Sequence, residues 1–105
     1  MPRFAFIYRN GQPPKSPEEG QKHMEEWRAW STALGDAMIE PGMPFSQAVT
    51  ANKDGVARTG DEAIFNGISI IEAATCEEAG EMARSCPHIS IGGDIVVAEG
   101  MDMEM

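Results

Sequence analysis

The chain has 105 residues, of which 42% are apolar and 24% charged, the composition of a folded chain and not of a disordered one. Seventeen acidic against eight basic side chains leave a net charge of −9, which repels nucleic acids and anionic lipid surfaces. We therefore expect one domain over 1–105 that binds neither nucleic acid nor a membrane surface. No targeting or membrane-spanning segment is visible, which indicates a cytoplasmic protein.

The first strand and the first helix are predicted by their residue patterns. Large residues alternate with smaller ones over Phe4–Tyr8, the period of a strand with two different faces. A loop rich in Gly and Pro follows. Ser16 then suits an N-cap, Pro17 the first helical position and Glu19 the closing residue of a capping box.

The first helix is predicted to be amphipathic and to lie on a sheet. Its apolar residues fall within an arc of roughly 120° on a helical wheel, and His23 lies in the same arc. Either Gly35 or the pair Pro41-Gly42 is expected to end the helix. The residues of the arc are Met24, Trp27, Trp30, Ser31, Leu34 and Met38.

Three strands are predicted in the middle of the chain. A weak strand around Gln47–Thr50, a turn at Asn52–Gly55 and a return through Val56–Arg58 indicate a short hairpin. The clearest strand covers Ile64–Glu72 and is expected to lie centrally in the sheet. Within it Gly67 indicates a bulge or a close approach by another group.

A second helix and a last strand complete the predicted elements. Thr75 and Glu78 repeat the capping pattern, and Pro87 is expected to stop the helix. Cys76 and Cys86 lie ten residues apart on the apolar stripe of this one helix, about 15 Å apart at its rise, so a disulfide is excluded. Buried free thiols in a reducing compartment are predicted.

The order of these elements predicts the fold class. A final strand at Asp94–Glu99 precedes an acidic, Met-rich end over Met101–Met105. The elements then run strand, helix, hairpin-like strands, helix, strand, which is the α+β, ferredoxin-like split βαβ arrangement with two helices on one face of an antiparallel sheet. The other face needs a cover, and a second copy of the chain is the simplest one, so a homodimer is predicted.

Several segments together carry a resemblance to a known family. They are, in chain order, Ser16–Glu19, His23-Met24, Trp27, Trp30, Leu34-Gly35, Gly67–Ala73, Glu78-Ala79, Cys86–His88 and Gly92-Gly93. In this order they resemble the YCII-related (DGPF) family, over nearly the whole chain. The resemblance implies the dimeric α/β-barrel form of the ferredoxin-like fold.

The resemblance also implies a class of chemistry. The family is related in fold to small enzymes that act on ring compounds without cofactors, such as muconolactone isomerase-like and dehydrochlorinase-like proteins, and a histidine–aspartate pair is suspected in some members. The namesake Asp-Gly-Pro-Phe segment is missing. Its region holds Asp54–Ala57 and Gly60–Ala63, so a pocket element on that loop is not carried over.

His23 and Asp36 are the candidate catalytic residues. His23 lies among the apolar residues of the first helix, where an imidazole aimed at the sheet suits a general base. The structural alternative is a helix-edge histidine bonded to a backbone carbonyl or water. Asp36 lies about three and a half turns further on, so a bond to His23 within the helix is excluded and only one through the fold or the dimer remains. A solvated surface carboxylate is the alternative reading of Asp36.

Three aromatic residues are candidate substrate-binding groups. Tyr8, on the large-residue face of the first strand, suits the orientation of a carbonyl or enolate oxygen. Trp27 and Trp30 suit an aromatic wall for a flat ligand, and simple core packing is the alternative for all three. His88 and His23 lack any metal-binding spacing, so no metal and no cofactor is predicted.

The leading hypothesis is a cofactor-free small-molecule enzyme that uses His23 as a general base on a ring-type substrate. The alternative is a ligand-binding or protein-interaction module without chemistry, built on the same dimer. A cofactor-free oxygenase is a third hypothesis. A cavity at His23 with a second polar group within hydrogen-bond reach would favour the enzyme.

Overall fold

A computed structural model of the chain describes residues 1–60 and 65–101. The strands are β1 (Arg3–Arg9), β2 (Met38–Pro44), β3 (Val49–Asn52), β4 (Gly55–Arg58), β5 (Gly67–Glu72) and β6 (Asp94–Glu99). The helices are α1 (Pro17–Leu34), α2 (Cys76–Arg84) and α3 (Pro87–Ser90), and a 3-10 turn spans Gly35–Ala37.

Four strands form an antiparallel sheet in the order β2-β5-β1-β6, and β3 and β4 form a separate two-stranded sheet. With that hairpin set aside, the order is the one that defines the ferredoxin-like arrangement, in which each helix connects two strands that are not neighbours. The predicted fold class is therefore confirmed, including the central position of the strand that ends at Glu72.

The core lies on one face of the four-stranded sheet, between the strands and the helices. Phe4, Phe6 and Tyr8 alternate into it from β1, and Ser69 and Ile71 join them from β5. The helices contribute mainly Trp30, Ala79, Ala83 and Cys86. Because the apolar residues among these belong to one cluster, both main helices cover the same face.

The other face of the sheet is apolar, and no element within residues 1–60 and 65–101 forms a layer over it. Ala5 lies opposite Ile70 and Ala98, and Ile7 lies opposite Ile68 and Val96. Val96 is 39% exposed. The chain is only 18 Å thick along its shortest axis, the thickness of one sheet and one helical layer. The described part of a single copy therefore leaves this face of the sheet without a covering layer.

Both main helices begin where their capping residues predict. The Ser16 hydroxyl accepts a hydrogen bond from the Glu19 N–H, and the Thr75 hydroxyl accepts one from the Glu78 N–H. Each bond satisfies an N–H that the first helical turn leaves without a partner. Helix α1 ends at Gly35, whose φ of +57° reverses the chain without the penalty that a Cβ imposes.

The prediction that Met38 belongs to the first helix is wrong, because the residue opens β2. This strand was missed in the sequence. It contains Pro41, Gly42 and Pro44, and its pairing with β5 shifts register twice, so it lacks the alternation of a regular strand. Its prolines are tolerated because it lies at the edge of the sheet.

The hairpin forms as predicted, with β3 and β4 joined at the turn before Gly55. It stands apart from the main sheet, and all its strand residues are exposed. At its base the Phe45 N–H donates to the Asn66 carbonyl, 2.9 Å away. The predicted strand start at Ile64, the Asp-Glu-Ala segment at 61–63 and the end at 102–105 lie outside the described residues.

The prediction of two buried thiols on one helix is wrong on both counts, because Cys76 is exposed and Cys86 lies beyond the end of α2. Cys76 is exposed at the start of α2, where the helix has only begun to pack on the sheet, whereas Cys86 is buried and is the N-cap of α3. Burial raises the pKa of the Cys86 thiol to about 12.

We therefore expect one of the two thiols to react rapidly with a disulfide reagent in the native protein. Cys76 reacts because its thiol is accessible. The nucleophile is the thiolate, and burial with a raised pKa keeps Cys86 protonated and shielded, so Cys86 reacts only after unfolding. The measurement is a thiol titration with and without denaturant. Cys76→Ser removes the fast reaction, and an equally fast reaction in that variant contradicts the assignment.

No helix within the described ranges is both long enough and apolar enough to cross a bilayer.

Candidate functional site

A cavity of about 430 Å³ lies between α1, α3 and one end of the sheet. The ends of β1 and β5 contribute Tyr8, Gly67 and Ser69, and β2 contributes its last residues. Apolar side chains form most of its wall, from Met24, Trp27, Met43, Phe45 and Ile91. Its size is within the range of small-molecule sites in proteins.

The buried end of the cavity is a chain of hydrogen bonds. The Tyr8 hydroxyl donates to Ser69 Oγ at 2.9 Å, and the Ser69 hydroxyl donates to the Pro41 carbonyl at 2.8 Å. Burial raises the pKa of the Tyr8 phenol well above its usual range, so the phenol stays protonated and remains a donor. This chain fixes the orientation of the phenol between β1 and β5.

His23 and Trp27 are bonded to each other on α1. The Trp27 Nε1–H donates to His23 Nε2 at 2.7 Å, as the spacing of four residues on a helix allows. An indole N–H is only a donor, so the accepting Nε2 carries no proton and the neutral His23 ring carries it on Nδ1. In this arrangement the Nε2 lone pair of His23 is engaged by Trp27.

His88 provides a second imidazole in the same cavity. It is the second residue of α3, is 4% exposed, and packs edge-on against Tyr8 with ring centroids 5.4 Å apart. Its Nε2 lies 2.8 Å from the Arg9 carbonyl. Because a carbonyl only accepts, His88 Nε2 carries a proton.

Asn66 holds the entrance of the cavity together. Its side-chain Oδ1 accepts from the Gly11 N–H at 2.9 Å, and its backbone N–H donates to the Tyr8 carbonyl at 2.6 Å. With the bond from Phe45, these contacts join the loop after β1 to the last residue before β5. The loop after β1 is thereby fixed to Asn66 by one side-chain bond and one backbone bond.

The structure brings three of the five predicted site residues together and separates two. Tyr8, His23 and Trp27 line the cavity, with the Tyr8 and Trp27 rings 5.2 Å apart. Trp30 is buried beside Trp27, and its Nε1–H points to the end of α2, where Ser85 Oγ accepts at 3.1 Å. Asp36 lies exposed in the 3-10 turn and does not line the cavity.

Sequence reasoning missed the contributions of Ser69 and Asn66, and it missed the short helix that begins at Pro87 and contains His88. Ser69 follows Gly67 with strand alternation, so its inward face could have been read from the sequence. The position of His88 could not have been read from the sequence, because its approach to Tyr8 depends on how α3 packs against the end of β1.

Two further hollows open near α1. One is an open groove of about 580 Å³ lined by residues such as Glu26, Trp30 and Arg84. The other, of about 150 Å³, includes Lys22 and His23. His23 therefore lies between the main cavity and this smaller surface hollow, in a position to connect the two.

The lining of the main cavity carries no formal charge in the described part of the chain: none of the described residues that form it is Asp, Glu, Lys or Arg. Residues 1–60 and 65–101 also contain no cluster of three or more metal-ligating His, Cys, Asp or Glu side chains. The polar side-chain groups of the described wall are therefore imidazole, phenol, hydroxyl and amide groups.

Comparisons with known proteins show the fold. No family model matches the chain, and no curated protein matches it in sequence. Among solved structures, 5-chloro-2-hydroxyhydroquinone dehydrochlorinase (TftG) from Burkholderia phenoliruptrix AC1100, in complex with 2,5-dihydroxybenzoquinone, is similar with a TM-score of 0.52. The two share 18% identity over 92% of this chain and 90% of that one. At this identity the similarity shows the ferredoxin-like fold alone.

Proposed function

We propose that the chain binds a small ring compound in the main cavity and acts on it by proton transfer, with His23 as the general base and no cofactor, as a YCII-related protein. The observation that carries the proposal is the cavity itself, where two imidazoles and a buried phenol converge within an apolar wall. Such a combination of an apolar pocket with few polar groups is typical of small-molecule sites.

The size and chemistry of the wall support a ring-shaped ligand. A cavity of about 150 Å³ already accommodates benzene, so about 430 Å³ leaves room for a substituted ring. Trp27 stands perpendicular to both Tyr8 and Trp30, an edge-to-face arrangement that fixes its indole as one wall. The structural neighbour, a dehydrochlorinase, is bound to a hydroxylated quinone.

The proposed roles follow from the contacts. His23 acts as the base when the Trp27 N–H leaves its Nε2, and Trp27 stacks on or against the ligand ring. Tyr8 donates to a ligand oxygen by turning from Ser69, and Trp30 supports Trp27 from behind. Asp36 takes part only across a dimer, because within one chain it lies exposed and outside the cavity.

The alternative is a binding module without chemistry, and one observation favours it. The bond from Trp27 engages the lone pair that His23 would use to take a proton. If this bond persists when ligand is bound, the cavity binds without catalysing. Measurements of binding and of turnover on the same variants separate the two functions.

The first experiment uses the neighbour's reaction as a probe. Tryptophan fluorescence reports binding of 5-chloro-2-hydroxyhydroquinone, and chloride release reports turnover. We expect His23→Gln to bind the compound but to lose roughly 100-fold or more in kcat, since a positioned general base contributes about that factor. Lys22→Gln, an exposed neighbour on α1, is the control and should keep both properties.

The outcomes distinguish four cases. Binding with turnover that depends on His23 supports the enzyme. Binding without turnover in both proteins favours the module. An unchanged kcat in His23→Gln removes His23 as the base, and the absence of binding by this compound and by other ring compounds contradicts the proposal as a whole.

We also propose that two copies pack through the open sheet face to form the homodimer. The face is a continuous apolar surface, centred on Ile7 with Ile68 and Val96 beside it. Two-layer domains gain stability when such a face is covered, and a second copy offers a complementary apolar surface through a two-fold axis.

A further inference from the structure

We infer that Nδ1 of His88 is the fixed hydrogen-bond acceptor of the cavity and that it receives the hydroxyl group of an uncharged ring compound. The inference rests on the proposed ligand cavity. It adds a second imidazole to that cavity, the ring nitrogen that accepts a hydrogen bond, and the class of ligand that donates it.

The backbone fixes which nitrogen of His88 carries the proton. The Arg9 carbonyl lies 2.8 Å from Nε2 and can only accept, so Nε2 donates to it. In the neutral ring the lone pair is then on Nδ1. His23 differs, because its lone pair is on Nε2 and is already engaged by Trp27.

Two glycines hold the ring of His88 in this orientation. A Cβ placed on Gly11 would lie 2.5 Å from Cε1 of the ring, and one placed on Gly93 would overlap the ring edge that contains Nε2. Only residues without a Cβ fit at these two positions, so the bare backbone of both glycines packs against the ring and restricts its rotation. The acceptor atom is therefore held in place by the packing before any ligand arrives.

Nδ1 keeps access to the cavity. None of the hydrogen bonds found in the described part of the chain uses this nitrogen. Within residues 1–60 and 65–101, every fully buried side-chain nitrogen or oxygen has a partner. Nδ1 therefore has no hydrogen-bond partner among the described residues, and because His88 lines the main cavity we place this acceptor at the cavity wall.

The surroundings of Nδ1 favour an uncharged donor. The described lining provides no cation to pair with a carboxylate or phosphate, and the net charge of −9 repels anions at longer range. A neutral acceptor in an apolar wall instead suits an O–H group on an aromatic ring, which satisfies the acceptor while its ring covers the apolar wall.

The test compares phenol with anisole, which has the same ring but no hydroxyl donor. In protein with ¹⁵N-labelled histidine, at a pH about 1.5 units above the ordinary histidine pKa, a long-range ¹H–¹⁵N spectrum identifies the tautomer of each ring. We expect His88 in the Nε2–H form. We also expect phenol to shift the His88 Nδ1 resonance and anisole to leave it in place.

The variant His88→Gln supplies a second readout. Its amide nitrogen retains a donor for the Arg9 carbonyl, so the fold is expected to hold, and its acceptor oxygen is displaced from the position of Nδ1. Dissociation constants from tryptophan fluorescence should show the preference for phenol over anisole reduced about five- to tenfold, with anisole binding little changed. If the variant fails to fold, the spectra of the unmodified protein still decide the inference.

The failure of this inference differs from failure of the proposed function. An Nδ1–H tautomer for His88, or equal binding of phenol and anisole with the same His88 shifts, overturns the role of His88 and leaves the ligand cavity standing. If no ring compound perturbs Trp27 or His88, the proposed function fails and the inference fails with it.

Discussion

Replacing Gly93 by alanine is expected to lower the free energy of unfolding by about 2–3 kcal/mol, within the range measured for overpacked cores. The new methyl group would occupy the position of the His88 ring edge. The ring would have to move, and the hydrogen bond from Nε2 to the Arg9 carbonyl would break with it. Chemical denaturation followed by circular dichroism measures the change.

The matched control is Gly80→Ala. Gly80 lies within α2, and a Cβ there meets no atom within 4 Å. Alanine is a better helix former than glycine by about 1 kcal/mol, so this variant should be as stable as the parent or more stable. Equal stability of the two variants would show that the ring of His88 is not confined by Gly93.

Gly93→Ala should also affect the cavity. A displaced His88 moves its acceptor nitrogen and changes the packing against Tyr8, whose ring lies 5.4 Å away. Gly93→Ala should therefore bind phenol more weakly even at temperatures where the variant remains folded. Retained phenol binding with lost stability would separate the structural role of His88 from its role in the cavity.

The largest effect on assembly is expected from Val96→Lys. At micromolar concentration we expect light scattering to give the unmodified protein a mass of about twice the 11.4 kDa of one chain. A lysine beside Ile7 on the apolar face would have to lose its hydration in the dimer, so the dissociation constant should rise about 100-fold or more. The variant should be monomeric and folded at the same concentration.

The control for this prediction is Ile89→Lys. Ile89 is 41% exposed, close to the 39% of Val96, but it belongs to α3 on the helical side of the sheet. A lysine there changes the charge equally and should leave the dimer intact. A monomeric mass for the unmodified chain contradicts the proposed dimer directly, whereas dissociation by both variants would place the interface elsewhere or make charge the cause.

The two predictions concern different layers of the same sheet. The inner face carries Tyr8 and Ser69 toward the cavity, and the outer face carries Ile7 and Val96 toward the proposed partner. Strand β1 alternates between the two, so a one-residue register shift would exchange them. The cavity and the dimer face are therefore two consequences of one strand pattern.

The amino-acid sequence by itself determined the local elements whose signals lie within a few residues. The caps at Ser16 and Thr75 place the helix starts, because a hydroxyl three residues before a free N–H meets it in any helix. Alternation in β1 and β6 identifies those strands and their faces for the same local reason. The element order then sufficed for the ferredoxin-like class.

Tertiary structure decided what depends on contacts between distant residues. Strand β2 exists because β5 offers it an edge, although its own prolines and Gly42 oppose a regular strand. His88 reaches Tyr8 and the Arg9 carbonyl across 79 or more residues of chain, so its tautomer was invisible in the sequence. The bond from Trp27 to His23 has helical spacing, but its direction required the side-chain geometry of the folded cavity.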